Sequence, residues 1–93
     1  MAYEIVWTTA AQEDYRQIVD YLFDTWSYAV AARFTDRLFN DLIILESMPY
    51  VGKSHSQMSA VRELVIDSHY VLFYAVVRNE VILLNLVSTK RKI

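Results

Sequence analysis

Two imidazoles, His55 and His69, nine Lys and Arg side chains and seven tyrosines are the groups of this 93-residue chain whose types suit acid-base, anion-binding or recognition chemistry. The histidines are far apart in sequence and make a poor metal site by spacing. With no cysteine in the chain there is also no thiolate ligand, thiol nucleophile or disulfide. No glycine-rich phosphate loop, Ser-His-Asp order or paired-carboxylate site can be assembled, so no cofactor and no metal are expected. His69 precedes Tyr70 at a turn between two strand-like runs and is better placed for catalysis than His55, because hairpin ends are exposed. Arg62 stands among apolar neighbours in Val61-Arg62-Glu63-Leu64, where its simplest role is to pair with a carboxylate. Lys90, Arg91 and Lys92 form a basic tail, suited to docking on an anion or a target, or equally to plain solvation. Tyr70 and Tyr74 alternate onto one strand face with Leu72 and Val76; this is packing unless the face is uncovered, in which case they can anchor a partner.

The elements that must position these groups follow from periodicity. Tyr3 to Trp7 is aromatic and β-branched, a short first strand. Thr9 and Gln12 have capping-box spacing, with Glu13 and Asp14 adding charge to the first helical turn. Ala11, Tyr15, Ile18, Leu22 and Trp26 then form one helical stripe. Ser27 can cap a second helix carrying Ala31, Phe34, Leu38, Leu42 and Leu45, which ends at Pro49 with Gly52 in the turn beyond. The two helices should form a hairpin, with Arg37 and Asp41 spaced to pair on its outer face and Trp7 and Trp26 in the core or the hairpin. Lys53 to Ser59 is polar and without period, a loop.

Beyond it Val61–Ile66, Tyr70–Val77 and Val81–Val87 are strand-like runs with connections short enough for antiparallel hairpins. In the last run Ile82, Leu84 and Leu86 should face the helices and Val81, Leu83, Asn85 and Val87 should be more accessible. Strand, helical hairpin and antiparallel meander make an α+β two-layer domain, with the helices on one face of the sheet. The other face must meet water or a partner, and function is expected there.

Length and composition fit one domain. No apolar run approaches a membrane span and the first residues lack the pattern of a signal peptide, so a soluble cytoplasmic protein is expected. The formal net charge of −2 argues against a general nucleic-acid coat. Its distribution is uneven: residues 1–48 hold three basic and eight acidic side chains, whereas residues 49–93 hold six basic and three acidic. Such asymmetry suits two faces with different partners, and small numbers produce it as readily.

The order and spacing of several pieces resemble the RelE/ParE superfamily of toxins from bacterial toxin-antitoxin modules: Ala10-Ala11-Gln12-Glu13-Asp14 with Ile18 and Tyr21-Leu22, Ala32 and Phe34, Leu45 to Pro49 with Gly52, Val61 to Leu64, and Tyr70 to Tyr74. The resemblance implies a helical hairpin on an antiparallel sheet and a cognate antitoxin that binds and neutralises the chain. It leaves two targets, because the superfamily contains ribosome-dependent mRNA endonucleases and ParE-like proteins that poison DNA gyrase. The ribonuclease branch implies a constellation of Lys53, Arg62, Arg91 and His69, with cations on phosphate and a base for the ribose hydroxyl. Ser88 stands where a family His is often found and no Tyr follows Tyr74, which leaves that end of such a site vacant. With the acidic balance, this favours the gyrase branch, with Arg62, Tyr70, Tyr74, Lys90, Arg91 and Lys92 as target-binding candidates. A non-toxic module that only binds the antitoxin is the remaining reading. An open sheet face and seven tyrosines also suit a homodimer.

Overall fold

The computed structural model describes residues 2–89, and the tail residues Lys90, Arg91 and Lys92 lie outside the described residues. Along the chain run β1 (Glu4–Trp7), α1 (Thr9–Thr25), α2 (Tyr28–Ser47), β2 (Lys53–Ser54), β3 (Val61–Ile66), β4 (Tyr70–Val77) and β5 (Glu80–Ser88). The strands form one sheet in the order β1-β5-β4-β3-β2, with β1 parallel to β5 and every other pairing antiparallel. The meander is the one expected. The segment expected to be a loop contributes the two residues of β2, whose Lys53 and Ser54 oppose Glu63 and Arg62.

Both helices are capped by hydroxyls. Thr8 Oγ1 accepts from the Ala11 N–H at 3.1 Å and Ser27 Oγ from the Val30 N–H at 3.2 Å. The first cap is therefore Thr8 rather than Thr9, which moves Glu13 and Asp14 out of the first turn. All five residues of the expected α2 stripe are buried, and at ~1.5–3 kcal/mol for each large side chain they supply much of the core. On α1, Ala11 and Leu22 are buried and Tyr15 and Ile18 half-buried. Trp26 departs from the expected core position and is 68% exposed, because it is the C-cap, with φ −116° and ψ −83°, and has left the helical stripe.

Which face of the sheet meets the helices is read from the register. Tyr70, Leu72 and Tyr74 of β4 are buried with Ile66 of β3 and with Val81, Leu83 and Leu86 of β5. The strict alternation expected for β5 is thus corrected: Val81 and Leu83, not Ile82 and Leu84, point at the helices, while Leu86 does as expected. The cause is a bulge, since Phe73 opposes Asn85 and the next residue, Tyr74, opposes Leu83, leaving Leu84 as the extra residue that resets the parity. β1 pairs with β5 only as far as Leu83. Beyond it Asp14 reaches over from α1 and accepts the Leu86 N–H at 2.9 Å, so the carboxylate displaced from the first turn closes the sheet edge instead.

Candidate functional site

Four of the residues singled out in the sequence meet where α2 hands the chain to β2. Tyr74, fully buried, donates its hydroxyl to the Pro49 carbonyl at 2.8 Å and accepts the Gly52 N–H at 2.9 Å. Arg62 donates to the carbonyls of Gly52 at 2.7 Å and Tyr50 at 3.3 Å, with its guanidinium 5.0 Å from the centre of the Tyr50 ring. Gly52 is required by close approach, because a Cβ there would lie 2.5 Å from Tyr74 Oη and 2.7 Å from the Glu63 carbonyl. Burial pushes the Tyr74 phenol above its usual range, against the opposing pull of the Gly52 N–H and of Arg62. This is a structural knot. Arg62 is occupied as the plainer reading had it, although its partners are carbonyls rather than a carboxylate.

Tyr70 and Tyr74 follow the packing reading rather than its uncovered-face alternative. Both lie beneath the helices, Tyr70 at 9% exposure with its ring 5.0 Å from that of Phe34. They share a face, as their spacing required, but it is the covered one.

The uncovered face is made by the residues between them. Val71, Phe73 and Ala75 of β4 oppose Val65, Glu63 and Val61 of β3, with Val87 and Ile82 of β5 and Val6 of β1 continuing the same surface. None of these residues belongs to the core cluster. Sheet faces in contact with water usually carry polar side chains, so this one is apolar where water would be expected. Its charged members lie at both ends, Glu4 opposite Glu80 at the β1–β5 end and Lys53 opposite Glu63 towards β2. His55 packs there with its ring 5.8 Å from that of Phe73 and its Nε2 4.0 Å from Glu63 Oε2. His55 Nδ1 accepts the N–H groups of Gln57 and Met58, so the neutral ring carries its proton on Nε2, towards the carboxylate.

A second candidate surface is a groove of about 790 Å³ between α1, the start of α2 and the end of β5. Ile18, Tyr21, Leu22, Trp26 and Val30 supply an apolar wall, and Asp14, Arg33, Asp67 and His69 a polar rim. Tyr21 and Trp26 are 55% and 68% exposed, a large apolar area for water to cover. Arg33 Nε lies 3.7 Å from Asp67 Oδ2, tying α2 to the β3–β4 turn along one side. Asp67 and Ser68 form that turn with φ of 52° and 58°, which presents His69 to solvent.

The ribonuclease candidates are not brought together. Lys53 is on the uncovered face, Arg62 on the helix side, and His69 at the other end of β4, five residues beyond Arg62's partner Tyr74 and so about 16 Å along the strand. Arg91 lies outside the described residues. Among the described residues no group of three or more His, Asp or Glu could hold a metal ion, and no helix is long and apolar enough to cross a membrane. Two features escaped the sequence reading. Asp14 closes a sheet edge, and nothing in its local pattern signals this. The apolar uncovered face did have a signal, since Tyr70–Val77 is apolar at both parities and leaves no polar side for water.

The family model described as the ParE toxin of the type II toxin-antitoxin system parDE matches residues 5–93. No curated protein matches. Among solved structures, the chromosomal ParDE TA system from P. aeruginosa is similar with a TM-score of 0.79 and 18% identity over 96% of this chain and 98% of that one. The toxin-antitoxin complex RelBE2 from Mycobacterium tuberculosis follows at 0.65, with 20% identity over 95% and 99%. A copper-bound mutant toxin from Helicobacter pylori gives 0.64, with 20% identity over 94% of each chain. At these identities the structural likeness establishes the shared fold.

Proposed function

The chain belongs to the ParE toxin family of type II toxin-antitoxin systems, and from that premise we propose that it acts on a protein, DNA gyrase, without catalysis of its own, and that a cognate antitoxin neutralises it. The observation that carries this reading is the uncovered face of the sheet. A surface that cuts RNA must hold phosphates with a surplus of Lys and Arg and bring a base to the ribose. Here Phe73 stands between Glu63 and Asn85 with Val61, Val65, Val71, Ala75 and Val87 around them, and the Lys53 of that face is set opposite Glu63. A largely apolar surface without a surplus of cations suits a protein-protein interface better than a phosphate backbone. The engagement of Arg62 Nη1 with two backbone carbonyls is in keeping with the same reading, since it gives that guanidinium a structural role in the turn.

The groove beside Trp26 fits the antitoxin. Its apolar wall of exposed aromatic and aliphatic side chains, inside a rim bearing both charge signs, suits an amphipathic segment with apolar anchors. The two surfaces adjoin at Val87, and most residues of each are its own, which allows target and antitoxin to be recognised by largely different residues.

The test is pulse-labelling of DNA and protein synthesis in bacteria within minutes of inducing this chain alone. Early loss of DNA synthesis is expected. Early loss of translation with replication intact would replace gyrase by the ribosome and its message. An absence of either effect, with folded protein present, would reduce the chain to a module that binds its antitoxin.

A further inference from the structure

Trp7 at the end of β1, Tyr15 on α1 and Phe39 on α2 wall a second pocket, of about 290 Å³, whose fourth lining residue is Gln12. The ring centroids are 5.7 Å apart for Trp7 and Tyr15, 6.1 Å for Trp7 and Phe39, and 6.0 Å for Tyr15 and Phe39. The planes cross at 66°, 36° and 90° in the same order. Two walls are held by the fold. The Trp7 backbone is paired to Leu83, and the Tyr15 ring stacks on Phe34 while its hydroxyl hydrogen-bonds Thr35 Oγ1 at 3.1 Å. Phe39 is 43% exposed and outside the core cluster, so its ring meets Trp7 and Tyr15 on one side and solvent on the other.

Aromatic faces carry negative potential and attract cations. No charged residue lines this pocket, and it lies in the acidic half of the chain, where residues 1–48 carry a formal net charge of −5 from three basic and eight acidic side chains. An ammonium is strongly hydrated and gains little from a pocket without a carboxylate. A guanidinium is more weakly hydrated and stacks on rings. The Gln12 side-chain carbonyl can accept one of its N–H groups. We propose that this pocket receives an arginine side chain presented by a basic segment of a protein partner. The inference goes beyond the gyrase reading and does not rest on it.

The full chain is titrated with N-acetyl-arginine amide and, separately, with the lysine and citrulline analogues, while the indole signals of Trp7 and Trp26 are followed by NMR. Trp26 is an internal control, since α1 carries it eleven residues, about 16 Å, from Tyr15. The expected result is a saturable shift at Trp7 with Trp26 unmoved, and binding of neutral citrulline at least about fivefold weaker. Phe39→Leu keeps an apolar side chain but removes the ring, and is expected to weaken arginine binding about tenfold with the rest of the spectrum preserved. Equal binding of citrulline, matching shifts at both indoles, no saturable shift, or unchanged affinity in Phe39→Leu would each overturn the proposal. Lysine binding as tightly as arginine would overturn the assignment to a guanidinium.

Discussion

On β4, Tyr70, Leu72 and Tyr74 lie beneath the helices, while Val71, Phe73 and Ala75, one residue out of phase, face away from them. The two faces draw on the same classes of side chain. The covered one carries the tyrosines, whose hydroxyls need partners once buried, and Tyr74 finds them at Pro49 and Gly52. The uncovered one carries valines and a phenylalanine, which make no such demand and can lie against a partner that comes and goes. Hydrophobicity alone does not say which face is core; the fate of the polar atoms does.

The largest expected effect comes from breaking the covered face at its tightest point. In Gly52→Ala the new methyl would meet Tyr74 Oη and the Glu63 carbonyl inside ordinary contact distance, and relief would cost hydrogen bonds of the knot. A loss of about 3 kcal/mol or more is expected in denaturant unfolding, or no folded protein at all. A variant as stable as the parent would show that the chain between Pro49 and β2 can move aside, and that the knot is not what fixes this face.

Tyr74→Phe removes only the hydroxyl and should cost about 1–3 kcal/mol by leaving the Gly52 N–H and the Pro49 carbonyl without that partner. It also gives the comparison a pH dependence. The folded phenol titrates above the unfolded value of about 10 because burial disfavours its charged form. Its contribution is therefore fully present below pH 10 and is lost as pH rises through the folded value. Tyr70 is shifted the same way, by burial and then by Tyr21, and remains in both proteins, so the difference between parent and variant isolates Tyr74. The stability gap between them should narrow above pH 10; a constant gap would mean that Tyr74 does not titrate within the folded range.

Much of this architecture was legible in the sequence because its periodicities are strong. The five buried residues of α2 are those of the stripe, Ser27 is the cap, and β3 and β4 have the expected bounds. What was not legible depends on single contacts between distant residues. One extra residue at Leu84 reverses the parity of half of β5, and no local pattern marks a bulge there. The role of Arg62 was open until its acceptors were seen to be the carbonyls of Tyr50 and Gly52. Tyr70 and Tyr74 were correctly paired on one face, yet alternation within an all-apolar strand cannot tell inside from outside. That ambiguity is itself the trace of the uncovered face, since a strand that met water on one side would have been polar at every second position.

The smallest expected effect on stability comes from the uncovered face, and its smallness is what makes it informative. Val65 is 55% exposed on β3, opposite Val71. Val65→Thr keeps the β-branched shape and places a hydroxyl where water already reaches, so unfolding should change by no more than about 0.5 kcal/mol. Leu72→Thr, a similar apolar-to-hydroxyl step at a side chain only 1% exposed, should cost several times as much. If the uncovered face binds a protein, Val65→Thr should still relieve growth arrest in cells expressing the chain alone, at unchanged amounts of folded protein. A loss of about 2 kcal/mol or more would mean that Val65 is packed within the chain, and the distinction between the two faces would fail. Unchanged stability with unchanged arrest would keep the distinction but remove Val65 from the target-binding surface, directing attention to Phe73 and Val71 at its centre.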